Sequence, residues 1–142
     1  MNESEQPILL TVLGKPVGKA RARTVRTATG KSHTYTPEKT RNAEVAWQAA
    51  WLESRQESLG DGPIRVHVRA YFKPPKSHPW RWPAPVGRPE IDNIAKLVLD
   101  ALRGFAYLDD SQVVQLLATK YYSGMPRTEV EIAKAWLKGE KC

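Results

Sequence analysis

The sequence predicts an α+β domain, a mixed β-sheet with two main helices packed on one face. Three observations carry that expectation. Segments that read as strands and helices follow in the order β-α-β-α-β-β, one long run alternates strictly in polarity, and two stretches carry apolar residues at helical spacing. The 142 residues, 41% hydrophobic and 26% charged, suit one domain over 1–142 whose core needs neither a disulfide nor a structural metal. Residues 1–6 and 138–142 read as flexible tails.

Ile8-Leu9-Leu10-Thr11-Val12-Leu13, closed by Gly14, reads as a buried strand. Gly14–Tyr35 carries Gly14, Gly18, Gly30 and Pro16 among basic residues and threonines, and reads as a long mobile loop. Thr36-Pro37-Glu38 starts a helix, with Thr36 as N-cap, Pro37 at the first helical position and Glu38 against the positive dipole end. That helix is expected to run to about Leu59, with Ala43, Trp47, Ala50 and Trp51 facing the core, until Gly60-Asp61-Gly62-Pro63 stops it. Ile64–Phe72 alternates: Ile64, Val66, Val68, Ala70 and Phe72 point one way, and Arg65, His67, Arg69, Tyr71 and Lys73 the other. Lys73–Pro89 holds six prolines with Trp80 and Trp82 and is an irregular excursion. Those two tryptophans suit stacking on unpaired bases or packing at a subunit interface, and the sequence does not separate the two. A second helix over about Ile91–Arg103 buries Ile94, Leu97, Val98, Ala101 and Leu102 and ends at Gly104. Strands Gln112–Tyr122 and Glu129–Trp136 follow, joined by the Gly124-Met125-Pro126 turn.

Several function classes drop out. The longest apolar stretch, Pro7–Leu13, is far short of the roughly 20 residues a membrane span needs. The acidic start Met1-Asn2-Glu3-Ser4-Glu5 lacks the features of a secretory leader, so a cytoplasmic location is expected. The single cysteine, Cys142, excludes an internal disulfide and a cysteine-rich zinc site. His33, His67 and His78 have no spacing that suggests a nucleophile–base pair and read as surface residues.

Twenty-two Lys and Arg against fifteen Asp and Glu give a net charge of +7, which points to a polyanionic partner, most commonly nucleic acid. The signs are segregated. No acid occurs from Gln6 to Pro37, where Lys15, Lys19, Arg21, Arg23, Arg26 and Lys31 lie. None occurs from Gly62 to Pro89, which holds Arg65, Arg69, Lys73, Lys76, Arg81 and Arg88. Of these, Lys15, Lys19, Arg21, Arg23, Arg26, Arg69, Lys73, Lys76, Arg81 and Arg88 are the expected DNA contacts.

Five acids crowd into Glu90–Asp110 between these tracts and the C-terminus. An extended backbone before the helix would point Glu90 and Asp92 the same way. Asp92, Lys96 and Asp100 lie along one side of the helix, opposite its apolar stripe. Asp109 and Asp110 reach the start of that helix only if the next strand lies alongside it. Carboxylates converging from both segments would make an oxygen-only site suited to Mg²⁺ or Mn²⁺. Simpler readings stand beside that one. Asp92 suits an N-cap, Asp92–Lys96–Asp100 an exposed ion-pair ladder, and Asp109-Asp110 a turn.

The run from Arg88 to Leu102, Arg-Pro-Glu-Ile-Asp-Asn-Ile-Ala-Lys-Leu-Val-Leu-Asp-Ala-Leu, followed by Leu108-Asp109-Asp110-Ser111-Gln112-Val113-Val114, resembles the RusA family of Holliday-junction resolvases. A looser likeness covers most of the chain: a first strand, a basic loop ending in Tyr35-Thr36-Pro37, a helix, a strand and a closing hairpin. The resemblance implies a small α+β homodimer of the kind common in phages and prophages. It implies a Mg²⁺-dependent endodeoxyribonuclease, with Mn²⁺ as a substitute, that nicks four-way DNA junctions symmetrically in recombination and repair. Its metal ligands map to Glu90, Asp92 and Asp110, with Asp109 behind them, and its essential lysine to Lys96, giving a catalytic set of Glu90, Asp92, Lys96 and Asp110. Glu90 departs from the pattern, which has Asp there. A broader branched-DNA or flap nuclease and a catalytically silent DNA-binding protein are the alternatives.

Overall fold

The computed structural model describes residues 6–20, 23–77 and 80–135. Of the tails expected at 1–6 and 138–142, all but residue 6 lie outside the described residues, as do Arg21, His78 and Trp136 and the side chains of Arg23 and His33. In chain order the elements are β1 (Ile8–Leu13), β2 (Arg23–Arg26), β3 (Ser32–Tyr35), α1 (Glu38–Ser54), β4 (Ile64–Phe72), α2 (Ile91–Leu102), a short 3₁₀ helix (Asp110–Gln112), β5 (Val113–Tyr122) and β6 (Arg127–Lys134). Among the described residues, no helix is long and apolar enough to cross a membrane.

The alternation in Ile64–Phe72 fixes which side of the sheet is covered. β1, β6, β4 and β5 form a four-stranded mixed sheet in that order, with β6 antiparallel to β1 and β4 and with β5 parallel to β4. The register aligns Ile8, Ile132 and Val66 in one row and Leu10, Val130 and Val68 in another, all buried. Both helices pack over that face, α1 against β1 and α2 against β4 and β5, and against each other. Trp47 and Trp51 of α1 join Ile94, Leu97, Val98, Ala101 and Leu102 of α2 in a single core. Each aliphatic side chain buried there is worth roughly 1.5–3 kcal/mol. The α+β architecture with two helices on one face is as the sequence predicts.

Four details differ. The segment 14–35 is not all loop, because β2 and β3 pair as an antiparallel ribbon. Its turn is closed by Thr27 N–H to the Lys31 carbonyl at 2.7 Å, with Gly30 at φ 85°. This ribbon carries no apolar alternation, so it gives no strand signal. Helix α1 stops at Ser54, five residues short of Leu59. The Ser54 hydroxyl donates to the Trp51 carbonyl at 2.6 Å and draws the chain out of the helical ladder, with Arg55 left-handed at φ 55°. Pro37 sits at the N-cap, without a side-chain cap, and Arg41 N–H bonds its carbonyl at 3.1 Å. Finally, β5 and β6 form no closing hairpin, since β4 lies between them. A parallel β4–β5 pair needs a long crossover, and α2 supplies it.

The uncovered face is polar and tightly paired. Arg69 Nε lies 3.1 Å from Glu129 Oε1 and its Nη1 3.2 Å from Glu131 Oε1, while Arg127 Nε lies 2.9 Å from Glu129 Oε2. The Arg127 guanidinium stands 3.9 Å over the Tyr71 ring, which stacks on Tyr121 at 5.2 Å. His67 belongs to this face and is half-buried, not a surface residue, with Nδ1 3.4 Å from Arg69 Nη1. The hydrogen bond from Arg127, reinforced by Arg69, holds the Glu129 carboxyl below its ordinary 4.5. A depressed carboxyl pKa stabilises the fold above the unfolded value and loses that contribution as pH falls through the folded one. Thermal unfolding followed from pH 7 to pH 3 should therefore show a drop beginning below about pH 4.5, and Glu129→Gln should be less stable at pH 7 with a shallower acid limb. An acid limb identical to wild type would refute this role.

Candidate active site

At the start of α2 the chain is extended through Glu90, which occupies the N-cap position, and Asp92 falls in the first helical turn. Both carboxylates are exposed. Glu90 is oriented: Asn93 Nδ2 donates to its Oε2 at 2.8 Å, and Arg88 Nε lies 3.6 Å from its Oε1. A bond from its own backbone N–H and the one from Asn93 hold the Glu90 carboxyl below the usual carboxylate range, with Arg88 and Lys120 adding to the effect. Negative charge at this helix end is also favoured by the macrodipole. Asp92 and Lys96, one turn apart and both exposed, make no ion pair or side-chain hydrogen bond with a described residue. The ion-pair ladder is thereby excluded, for Asp100 turns instead to Lys19, 3.4 Å away.

Asp110 lies at the opposite end of α2. Its Oδ1 is 3.7 Å from Nη1 of Arg103, the residue that caps the helix. Beside it Tyr107 is fully buried and donates its hydroxyl to the Leu99 carboxyl-end carbonyl at 2.5 Å. Burial, then the nearby Asp110 and Asp100 carboxylates, push that phenol well above its ordinary value. Twelve helical residues span roughly 18 Å, so Asp110 is separated from Glu90 and Asp92 by about the length of α2. The cause is topological. β5 is parallel to β4, and α2 returns between them, so the beginning of β5 adjoins the end of α2. Convergence of Glu90, Asp92 and Asp110 within one chain, as the sequence suggests, does not occur; among the described residues no three His, Cys, Asp or Glu form a metal-holding group.

Asp109 performs the turn chemistry. It caps the 3₁₀ helix, accepting from Ser111 N–H at 3.1 Å and from the Ser111 hydroxyl, while Gln112 Oε1 accepts from its backbone N–H at 2.8 Å. Those Ser111 bonds hold its carboxyl below the ordinary value. Gln112 also donates to the carbonyls of Gly60 and Gly62, locking this corner to the start of β4 and leaving Asp110 half-exposed.

The basic residues divide into pinned and free. Lys19 is pinned to Glu44 and Asp100, 3.4 Å from each, and so clamps its loop to both helices. Arg69 is neutralised on the uncovered face by Glu129 and Glu131. Lys15, Arg26, Lys73, Lys76, Arg81 and Arg88 are exposed, with Arg81 5.7 Å over the Trp82 ring and Arg88 facing Glu90. Arg21 and the Arg23 side chain lie outside the described residues. Trp80 packs against Tyr122 at 5.0 Å, whereas Trp82 is half-exposed. A cleft of about 400 Å³ next to Glu90 is lined by Lys15, Lys19, Lys39, Thr40, Arg88 and Asn93.

Lys39, Arg103 and Lys120 were not singled out by the sequence, and Asn93 stood there only as a member of the Glu90–Lys96 motif, without a role. Lys120 left a signal: it stands between Ala118 and Tyr122 in the row of β5 that faces α2. Lys39 and Arg103 acquire their places through the fold.

A family model described as Endodeoxyribonuclease RusA matches residues 14–133. Uncharacterized protein YqaN of Bacillus subtilis (strain 168) is 36% identical over 136 residues, covering 88% of this chain and 94% of that protein.

The cleft depends on a close approach at Gly18. A Cβ there would meet Pro89 Cβ at 2.8 Å and Asn93 Cβ at 3.2 Å, both on the segment that carries Glu90. Gly18→Ala should therefore push the 15–20 loop off α2 while the sheet stays folded. Hydrogen exchange at the Lys19 amide, which bonds the Asn93 carbonyl at 2.8 Å, should accelerate by about tenfold or more. Unchanged protection would show that the contact is not needed.

Proposed function

This chain belongs to the RusA endodeoxyribonuclease family, whose members act on branched DNA junctions as Holliday-junction resolvases, and from that premise we propose that it is a Mg²⁺-dependent resolvase. It would hydrolyse phosphodiesters in four-way junctions as paired symmetric nicks, serving recombination and repair in the cytoplasm as a homodimer. The observation that carries this reading is the pairing at the start of α2: an exposed, unengaged Asp92 and Lys96 beside an oriented Glu90. Two carboxylates on a DNA-facing surface would repel phosphate unless a cation bridges them.

The donor chemistry fits Mg²⁺, which takes oxygen ligands and commonly binds through one or two carboxylates plus substrate phosphate. Glu90 and Asp92 supply two such groups, with Mn²⁺ a substitute of the same donor preference. When bound, the ion would polarise the scissile phosphate and lower the pKa of an attacking water. Lys96, free and one turn from Asp92, would set its ammonium against charge growing on the phosphate oxygens. Lys15, Lys39 and Arg88 around the adjoining cleft would hold the DNA backbone without reading sequence.

Asp110 enters through the dimer. Two copies of α2 lying antiparallel about a twofold axis would bring Asp110 of the partner subunit to Glu90 and Asp92, and so build two equivalent sites. The surface beside α2 supports such pairing. β5 is an edge strand, and it exposes Val114 (52%), Leu116 (47%) and Leu117 (55%), with Leu108 (61%) just ahead. A free apolar edge of this kind is a template for association.

Asp92→Asn and Asp110→Asn should each reduce junction cleavage in Mg²⁺ by at least about 100-fold while junction binding in EDTA persists. Refolding the two variants together should restore nicking of one strand, because the mixed dimer holds one site with both aspartates intact. Two inactive variants that stay inactive when mixed would refute the shared site. Cleavage of flaps as readily as junctions would make the enzyme a broader nuclease, and tight binding with no cleavage in any divalent metal a silent binding protein.

A further inference from the structure

We propose that Lys120 is a positioning residue that fixes the segment carrying Glu90, so that the metal meets a formed ligand. This deepens the nuclease reading and rests on it. Lys120 lies in β5 opposite Ala70, on the sheet face that α2 covers, between Ala118 and Tyr122 in the same row. A lysine in that row gives up packing that an aliphatic residue would supply, and burial disfavours its charged form. What it gains is reach. Its ammonium sits 5.2 Å over the Phe72 ring and donates to the Gly87 carbonyl at 2.5 Å.

Gly87 opens the Gly87-Arg88-Pro89-Glu90 stretch that leads out of the irregular excursion into α2. That stretch is held from two sides. Asn93 grips the Glu90 carboxylate from within the helix, and Lys120 anchors the backbone three residues earlier to the rigid sheet. Ligands held by outer partners bind metal more tightly than free ones, and loss of such a partner typically weakens metal binding about 10–100-fold. Lys120 approaches neither Asp92 nor Lys96 in any described contact, so its action runs through Glu90.

The test compares wild type, Lys120→Met, Lys120→Gln and Lys120→Arg as full-length protein. Free Mn²⁺ measured by electron paramagnetic resonance gives metal affinity without any cleavage. Lys120→Met and Lys120→Gln should weaken Mn²⁺ binding about 10-fold or more and raise the half-saturating Mg²⁺ for cleavage by a similar factor, leaving the rate at saturating Mg²⁺ and junction binding in EDTA close to wild type. Lys120→Arg, which keeps a donor and a charge, should restore most of the affinity. A purely structural residue would lower the rate at every metal concentration and would not separate affinity from rate. Neutral variants with wild-type Mn²⁺ affinity overturn the proposal, and so do two neutral variants that both fail to fold, since the residue would then serve the core. A wild-type protein that takes up no Mn²⁺ and cuts nothing overturns the nuclease reading itself, and Lys120 falls with it.

Discussion

The placement of α2 is the constraint on which the rest of this molecule depends. Its apolar stripe must be buried against β4 and β5, and the parallel pairing of those strands forces the helix to run back between them. One end of α2 therefore lies by Lys120, near the close of β5, and the other by Asp110, at its opening. The acids that the sequence groups as one motif are held by the helix at its two ends. A single chain cannot join them without unpacking its own core. In the proposed dimer, completion of the site would be a matter of association, and cleavage would be coupled to dimer formation. An enzyme that must cut two opposed strands gains from that coupling, because a lone subunit would carry no complete site to cut with.

Charge is distributed to serve the same end. On the uncovered face Arg69 and Arg127 are paired with Glu129 and Glu131. Around the start of α2 the balance reverses. Lys15, Lys39 and Arg88 border the cleft with Glu90 as the acid among its lining residues, and Lys96 is free beside Asp92. Lys19 is the exception that organises the others: its ties to Glu44 and Asp100 hold the basic loop against both helices. Such partly exposed pairs are individually weak, but two acids on one lysine fix the direction of a loop that has no strand to hold it.

Much of the fold was legible because its signals are local. The alternation in Ile64–Phe72 and the stripe from Ile94 to Leu102 each report which side is buried, and both faces are as read. The β2–β3 ribbon was illegible because Arg23–Arg26 and Ser32–Tyr35 are short and carry no polarity pattern. Strand order was illegible for a different reason. The short Gly124-Met125-Pro126 connection suits a hairpin as well as a step across one strand, and only the pairing of β4 with β6 along one edge and β5 along the other decides between them. At the site, residue identity in Glu90, Asp92, Lys96 and Asp110 was readable, whereas the distance between Asp110 and the rest was not, because it is set by that strand order. Lys120 stood in plain view as a charge in an apolar row, a local conflict of the sort that marks a functional position.

Glu90 shows how the surroundings absorb a departure from the pattern that the resemblance sets. Glutamate in place of aspartate adds a methylene and a rotatable bond, so a metal ligand there reaches further and costs more conformational entropy to order. Left free, it would bind a small, strictly coordinated cation poorly. In the proposed site that freedom would be restricted before an ion arrived. Asn93 takes one carboxylate oxygen, Arg88 approaches the other, and Lys120 holds the backbone that leads to it. A longer ligand on a pinned stem can present its oxygens where a shorter one on a looser stem would, and in this chain the pinning comes from residues on three sides of the carboxylate.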